Sequence, residues 1–168
     1  MNANPVRRVL PGIFLTALIL ATGASSARCI AQSPVPEITT SQSDWRDADV
    51  TPGDWTWRMT DGKSFAQFAD GELTMACDTD SETIAILRKG TLAIAAPITI
   101  ETSHGTYLLN GQPSDAGAPA VELVLDAHSP ILDSMKFSRG HFAFETAGLP
   151  TLYVPSWPEI ARVIEDCR

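Results

Sequence analysis

The 168-residue sequence has few of the residues from which common catalytic and metal centres are built. It contains three cysteines and three histidines, and it has no C-x-x-C pair. It also has no G-x-x-x-x-G-K-[ST] loop and no G-x-G-x-x-G turn. These absences leave nucleotide, dinucleotide, thioredoxin-type and zinc sites without support. We therefore expect neither a metal nor a cofactor.

Basic residues are also scarce. Lysine and arginine together number 12 against 20 aspartates and glutamates, and the formal net charge is −8 at pH 7. Nucleic acids and anionic lipid surfaces repel so acidic a chain. Neither is an expected partner.

The sequence lacks an apolar run of the ~20 residues that a membrane-spanning helix needs. A shorter run, IFLTALILATGA, follows Arg7 and Arg8 and precedes small residues. This order of basic, apolar and small residues is typical of a secretory signal peptide. We predict that residues 1–31 are such a signal, that the protein is periplasmic or secreted, and that the mature chain has no transmembrane span.

The position of the cut is left open between two sites. Cleavage after Ala31 is favoured, and cleavage after Ala27 is the alternative. Lipidation of Cys29 is disfavoured because Arg28 precedes it, where lipoprotein signals have a small residue. The proline-, serine- and threonine-rich stretch that follows predicts a flexible linker at 32–50. Residues 51–168 are enough for a single domain.

Within that domain the apolar residues mostly alternate with polar ones, which is typical of half-buried strands. The most regular run, TLAIAAPITIET, alternates from Leu92 to Ile100 without a slip. Turn residues separate the runs. We predict a mainly β fold, an antiparallel β-sandwich or partly open barrel of about eight strands.

Two helices interrupt the strands. Ser129 and Pro130 are suited to the start of a short helix at about 130–137. At the C-terminus, Ser156 and Glu159 have the spacing of a capping box, which predicts a helix at about 157–167.

The last helix carries the apolar stripe Ile160, Val163, Ile164 and Cys167. Cys77 lies on the apolar face of its own strand, so both cysteines point toward the core. In an exported protein they meet an oxidising compartment. We predict a Cys77–Cys167 disulfide, the alternative being two buried thiols.

Two clusters could carry chemistry. Asp126, His128 and Asp133 bracket the start of the short helix and could converge on a metal, but the recurrent His and Cys spacings of zinc sites are missing. Ser138 and His141 suggest a nucleophilic pair, yet strand alternation turns His141 away from the core, and no G-x-S-x-G elbow presents the serine. We expect no catalytic residues.

The tryptophans offer a different kind of site. Trp55 and Trp57 share one strand face and are interpreted as core. Trp45, ahead of the predicted domain, and Trp157, at the start of the last helix, are candidates for a surface that meets a partner.

Four segments together, GDWTWRM, LTMACD, FSRGHFAF and VPSWPEIARVIEDCR, resemble uncharacterised small exported proteins of Gram-negative bacteria. More distantly, the early tryptophan strand, the mid-chain cysteine and the late aromatic strand are similar to the invasion-associated locus B family of periplasmic β-sandwich proteins. The resemblance implies the compartment and the fold class and assigns no catalytic residue.

We therefore expect an exported, non-catalytic binding or accessory module of the envelope, whose partner is an envelope protein or a small ligand. The alternative is a metal-assisted or serine-dependent hydrolase that uses Asp126, His128, Asp133, Ser138 and His141.

Overall fold

The computed structural model describes residues 44–114 and 117–168. These residues form nine strands and two α-helices. The strands are β1 Trp55–Thr60, β2 Lys63–Phe68, β3 Leu73–Asp78, β4 Thr83–Lys89, β5 Ala96–Thr102, β6 Gly105–Ser114, β7 Ala120–Asp126, β8 His141–Thr146 and β9 Leu152–Pro155. The helices are α1 Pro130–Lys136 and α2 Pro158–Asp166. The predicted signal peptide and the linker up to residue 43 lie outside the described residues.

All nine strands belong to one antiparallel sheet in the order β1-β2-β3-β4-β7-β6-β5-β8-β9. The ten-residue strand β6 joins its two parts, since Gly105–Gly111 pair with β5 and Gln112–Ser114 pair with β7. The prediction of a mainly β, antiparallel fold is confirmed. The sheet is not closed into a barrel, and it has one strand more than expected.

Gly111 marks the junction between the two parts of the sheet. A Cβ atom at this position would lie 2.5 Å from Ile98 Cδ1 and 2.5 Å from Val121 Cγ1. The inward side chains of β5 and β7 thus fill the space beside β6, and only a residue without a side chain fits between them.

One core lies on the inner face of the sheet. The inward residues of β3, β4 and β5 alternate with outward ones as predicted, and those of both parts of the sheet belong to one buried cluster. The sheet therefore folds back over its own inner face, as in a sandwich. The two edge strands, β1 and β9, do not pair through their backbones. They are joined instead by a side chain, since the indole Nε1 of Trp55 donates to the carbonyl oxygen of Pro155 at 2.9 Å.

Helix α2 covers part of this core through the predicted stripe, since Ile160, Val163 and Ile164 are fully buried. The Cys77–Cys167 disulfide joins the end of the helix to β3, with 5.5 Å between the Cα atoms. Ser64 Oγ donates to Asp166 Oδ2 at 2.6 Å and fixes the same helix end to β2. Within the described residues, neither helix has the length and apolarity needed to cross a bilayer.

The predicted capping box is wrong. The residue before the first helical position is Trp157, with extended backbone, and its side chain makes no capping hydrogen bond. Because the helix begins at Pro158, Glu159 is one position too early for the reciprocal bond. Ser129 does precede α1 as predicted, although its side chain makes no capping bond either.

The domain begins earlier than residue 51. A 3₁₀ turn at Trp45–Asp47 packs against β8, and Trp45 is only 8% exposed. After this turn, the chain runs beside β9 at Thr51, whose amide donates to the carbonyl of Tyr153 at 2.9 Å. The last residues of the predicted linker are therefore part of the domain, because one buried aromatic side chain outweighs their polar composition.

Candidate functional site

The outer face of the sheet, opposite the core, carries a groove across β1 to β4. We call it the outer groove, and its volume is about 380 Å³. The outward side chains of the four strands form its floor and one side, and a 3₁₀ turn at Ala69–Gly71 and residues 117–120 form the rest. It is lined by Arg58, Phe65, Gln67, Asp70, Gly71, Thr74, Leu87, Lys89, Gly117, Ala118, Pro119 and Ala120.

Strand register places three of these residues in a row across the floor. Gln67 of β2 is opposite Thr74 of β3, and Thr74 is opposite Leu87 of β4. Gln67 Nε2 donates to Thr74 Oγ1 at 3.4 Å. The floor therefore combines two polar groups that already bond to each other with one apolar side chain.

Arg58 and Phe65 form the wall on the β1 side. The guanidinium of Arg58 lies 5.3 Å from the centre of the Phe65 ring, and its Nη1 donates to Gln67 Oε1 at 2.6 Å. In the part of the chain that the structure describes, Arg58 forms no ion pair with a carboxylate. The aromatic ring and the amide hold this charged group at the groove.

Lys89 lines the groove from β4, and it differs from Arg58 in having an acidic partner. Its Nζ lies 3.3 Å from Glu72 Oε1. The other oxygen of Glu72 pairs at 2.8 Å with the buried Arg88, so this one carboxylate serves two cations. The charged residues of the groove lining are Arg58, Lys89 and Asp70. The lining is therefore slightly positive, although the chain as a whole is acidic.

The rim turn at Ala69–Gly71 has an uncommon backbone. Ala69 and Asp70 both have positive φ angles, 48° and 54°, in the region that side chains disfavour by about 1–2 kcal/mol per residue. Gly53 permits this arrangement, since a Cβ atom there would lie 2.5 Å from the Cβ of Ala69. The amide of Ala69 donates to Asp54 O at 3.1 Å. The turn is thus fixed where it borders the groove.

Ser138 and His141, which the alternative hydrolase would use, are not assembled as a catalytic dyad. Ser138 Oγ donates to the carbonyl oxygen of His141 at 2.7 Å and accepts from the amide of Ser103 at 3.0 Å. The imidazole Nε2 of His141 instead donates to the carbonyl of Trp45 at 2.9 Å. Both side chains bond to the backbone and connect separate segments of the chain.

The two carboxylates of the candidate metal ligands, Asp126 and Asp133, also bond to other groups of the chain. Asp126 Oδ1 accepts from the amide of His128 at 2.8 Å, which makes a local turn. Asp133 pairs with Lys136 and Arg168, and the hydrogen bond from Arg168 is the largest cause that lowers the pKa of Asp133. Among residues 44–114 and 117–168, no three His, Cys, Asp or Glu side chains converge as metal ligands would.

The two tryptophans proposed as a partner surface have different environments. Trp45 is buried, with its ring edge-on to His141 at 5.5 Å between centroids, so its assignment to a binding surface is corrected. Its indole lies against the outward face of β8 and covers it. Trp157 is 42% exposed at the start of α2 and stays a candidate.

Sequence reasoning missed the outer groove. A signal was present, because Phe65 and Leu87 are apolar residues at outward positions, where strand alternation predicts polar ones. The groove also depends on residues 117–120, which stand near β2 to β4 only after β7 has paired with β4. That pairing is not visible in the local pattern.

Comparison with protein-family models, with curated proteins and with solved structures finds no match to this chain.

Proposed function

We propose that the protein is an exported, non-catalytic module that binds a small ligand in the outer groove. The observation that carries the proposal is the groove itself. Its volume of about 380 Å³ falls within the roughly 300–1,000 Å³ of small-molecule sites. Its lining is mainly apolar with a few polar and charged groups, which is the composition such sites have.

The hydrogen bonds of Ser138 and His141, two residues of the alternative hydrolase, favour binding over hydrolysis. A nucleophilic serine needs a nearby general base, and the hydroxyl of Ser138 bonds to two backbone groups instead. His141 uses its Nε2 to hold the Trp45 segment. The roles of both residues are explained by the stability of the fold.

Two features support export. The order of basic, apolar and small residues before residue 32 is typical of a cleaved signal peptide. The Cys77–Cys167 disulfide joins two residues that are 1% and 3% exposed. Disulfides of this kind persist in oxidising compartments and are rare in the cytosol.

The ligand-binding proposal can be tested with a fragment library and a variant that fills the groove. Thr74→Trp places a large side chain on the groove floor, whereas Thr106→Trp places the same side chain at an outward, exposed position of β6, away from the groove. We expect fragments to shift the amide NMR resonances of the groove in the wild type and in Thr106→Trp. Thr74→Trp should lose these shifts.

Two results would overturn the proposal. One is a set of fragment shifts that spares the groove or survives unchanged in Thr74→Trp. The other is hydrolysis of a simple ester such as p-nitrophenyl acetate that disappears in Ser138→Ala, which would favour the hydrolase instead.

A further inference from the structure

We infer that the ligand of the outer groove is a small amphipathic carboxylate, whose acid group binds Arg58 and whose apolar body lies along Phe65, Leu87 and Pro119. This inference rests on the proposed function and adds the chemical class of the ligand. The structure supports it through the apolar lining, the environment of Arg58 and the charge of the whole chain.

The apolar lining determines most of the ligand. Phe65, Leu87 and residues 118–120 present aromatic, aliphatic and proline surface to the groove. The polar floor groups, Gln67 and Thr74, already bond to each other. A ligand that lies on this floor therefore needs few polar groups of its own, and each methylene that it buries should tighten binding by roughly fourfold.

The environment of Arg58 indicates the head group of the ligand. A guanidinium has five N–H donors, and in the described residues only Nη1 of Arg58 has a side-chain acceptor, Gln67 Oε1. The fork of donors matches the two oxygens of a carboxylate. Phe65 holds the guanidinium from one side, so part of the entropy cost of binding is already met by the fold.

Charge favours an anion at this one place. The chain as a whole carries a net charge of −8, which repels anions over most of its surface. Lys89 shares Glu72 with Arg88, whereas Arg58 has no carboxylate partner in the described part of the chain. Arg58 is thus the stronger of the two cations for an incoming acid group.

Three eight-carbon probes that differ only in the head group test the inference. Octanoate, 1-octanol and octylammonium are titrated separately into the protein and followed by amide NMR shifts. We expect octanoate to bind in the groove at least tenfold more tightly than the other two. Decanoate should bind up to roughly fifteenfold more tightly than octanoate, from about 0.8 kcal/mol for each of two more buried methylenes.

Substitution of the arginine separates the charge from the groove. Arg58→Gln should weaken octanoate binding by about tenfold or more, because a hydrogen bond to a charged group is lost, and should leave octanol binding unchanged. Arg58→Lys, which keeps the charge but loses the fork, should lie between the two. Arg139→Gln removes another exposed arginine outside the groove and should change neither.

The outcomes distinguish the two proposals. Equal binding of all three probes in the groove, or octanoate binding that Arg58→Gln leaves intact, would overturn the carboxylate and keep the groove as a site. A groove that none of the probes perturbs, while fragments still do, would also exclude this ligand class alone. A groove that neither probes nor fragments perturb would remove both proposals.

Discussion

The outer face of the sheet is covered over β8 and β9 and open over β1 to β4. On the covered part, the Trp45–Asp47 turn lies against the outward side chains, and Ala143 is fully buried at an outward position of β8. On the open part, Phe65 and Leu87 remain half-buried beside the groove. The protein thus uses its own Trp45–Asp47 turn to cover one apolar region of this face and leaves the other accessible to a ligand.

Strand alternation distinguishes the two faces of the sheet but does not determine what lies against each face. His141 and Gln67 both occupy outward positions of strands. One bonds to a distant backbone carbonyl and fixes a cover, and the other lines a groove. The covered part stabilises the fold, and the open part is where we place the function.

On the inner face, helix α2 covers part of the core and is attached to β3 by the disulfide. Removal of this disulfide has the largest expected effect on stability. The disulfide closes a loop with a sequence separation of 90 residues, for which the chain-entropy model gives up to about 4.5 kcal/mol. We expect the Cys77→Ala, Cys167→Ala double variant to lose up to this amount of unfolding free energy in urea titrations. A thiol titration of the unfolded, unreduced wild type should find neither cysteine reactive. A double variant as stable as the wild type would contradict the role given to this bond.

The cover of the outer face depends on one side chain. Trp45→Ala should cost about 3 kcal/mol of unfolding free energy, because it removes a buried indole and leaves a cavity. Trp157→Ala is the matched control and should cost less than about 1 kcal/mol, since that side chain is 42% exposed. Hydrogen exchange should show faster opening of β8 and β9 in the first variant alone. Similar losses for both would mean that Trp45 is no cover.

The junction between the two parts of the sheet should tolerate little change. Gly111→Ala forces a methyl group to within 2.5 Å of Ile98 and Val121. Overpacking of this kind typically costs about 1–3 kcal/mol. Gly62→Ala is a contrasting variant, because nothing lies within 4 Å of the added carbon and its cost comes from a φ of +74°. Chemical denaturation measures this loss of stability. In the folded Gly111→Ala variant, amide NMR shifts should appear at β5 and β7, and shifts confined to β6 would argue against the packing explanation.

The open part should contribute to binding more than to stability. Leu87→Ala should lower the unfolding free energy by less than about 1 kcal/mol, because its side chain is half-buried on the outer face. Leu123→Ala, on the inner face at 5% exposure, should cost about 2–5 kcal/mol. Urea titrations of the two variants compare the faces directly. A large loss for Leu87→Ala would show that the groove floor is part of the core.

Much of the fold follows from short-range patterns. The alternation of Leu73, Met75 and Cys77 and the stripe of α2 both turn a cysteine toward the core, and together with the expected export this predicts the disulfide between them. The pattern also misleads, since Ile94 continues the alternation of β5 but lies before the strand and is 77% exposed. Local periodicity cannot tell whether a partner strand is present.

The candidate site could not be predicted in this way. The β4-β7 pair joins two strands that are separated along the chain by β5 and β6, and the groove exists only after this pairing forms. The cover by Trp45 depends on a contact with His141, 96 residues away. Both features depend on tertiary contacts, and residues 45–50 have the composition of a linker.

The smallest expected effect concerns a carboxylate under the cover. Burial is the main cause that raises the pKa of Glu101 above its ordinary value of 4.5, and the charge of Glu145 raises it further. A raised pKa means that the folded state binds the proton more tightly than the unfolded chain does. Stability therefore falls as pH rises through the window between the ordinary and the raised pKa.

Glu101→Gln removes this charge and should stabilise the protein at pH 7. The gain should be only a few tenths of a kcal/mol, because solvent screens the repulsion between Glu101 and Glu145. The gain should vanish at a pH below the ordinary pKa of the carboxyl, where Glu101 is protonated in both states. Glu165→Gln should act in the opposite direction, because the hydrogen bond from Lys136 lowers the pKa of Glu165. Urea titrations at several pH values measure both, and a Glu101→Gln variant less stable than the wild type at pH 7 would show that the covered part of the sheet does not desolvate this charge.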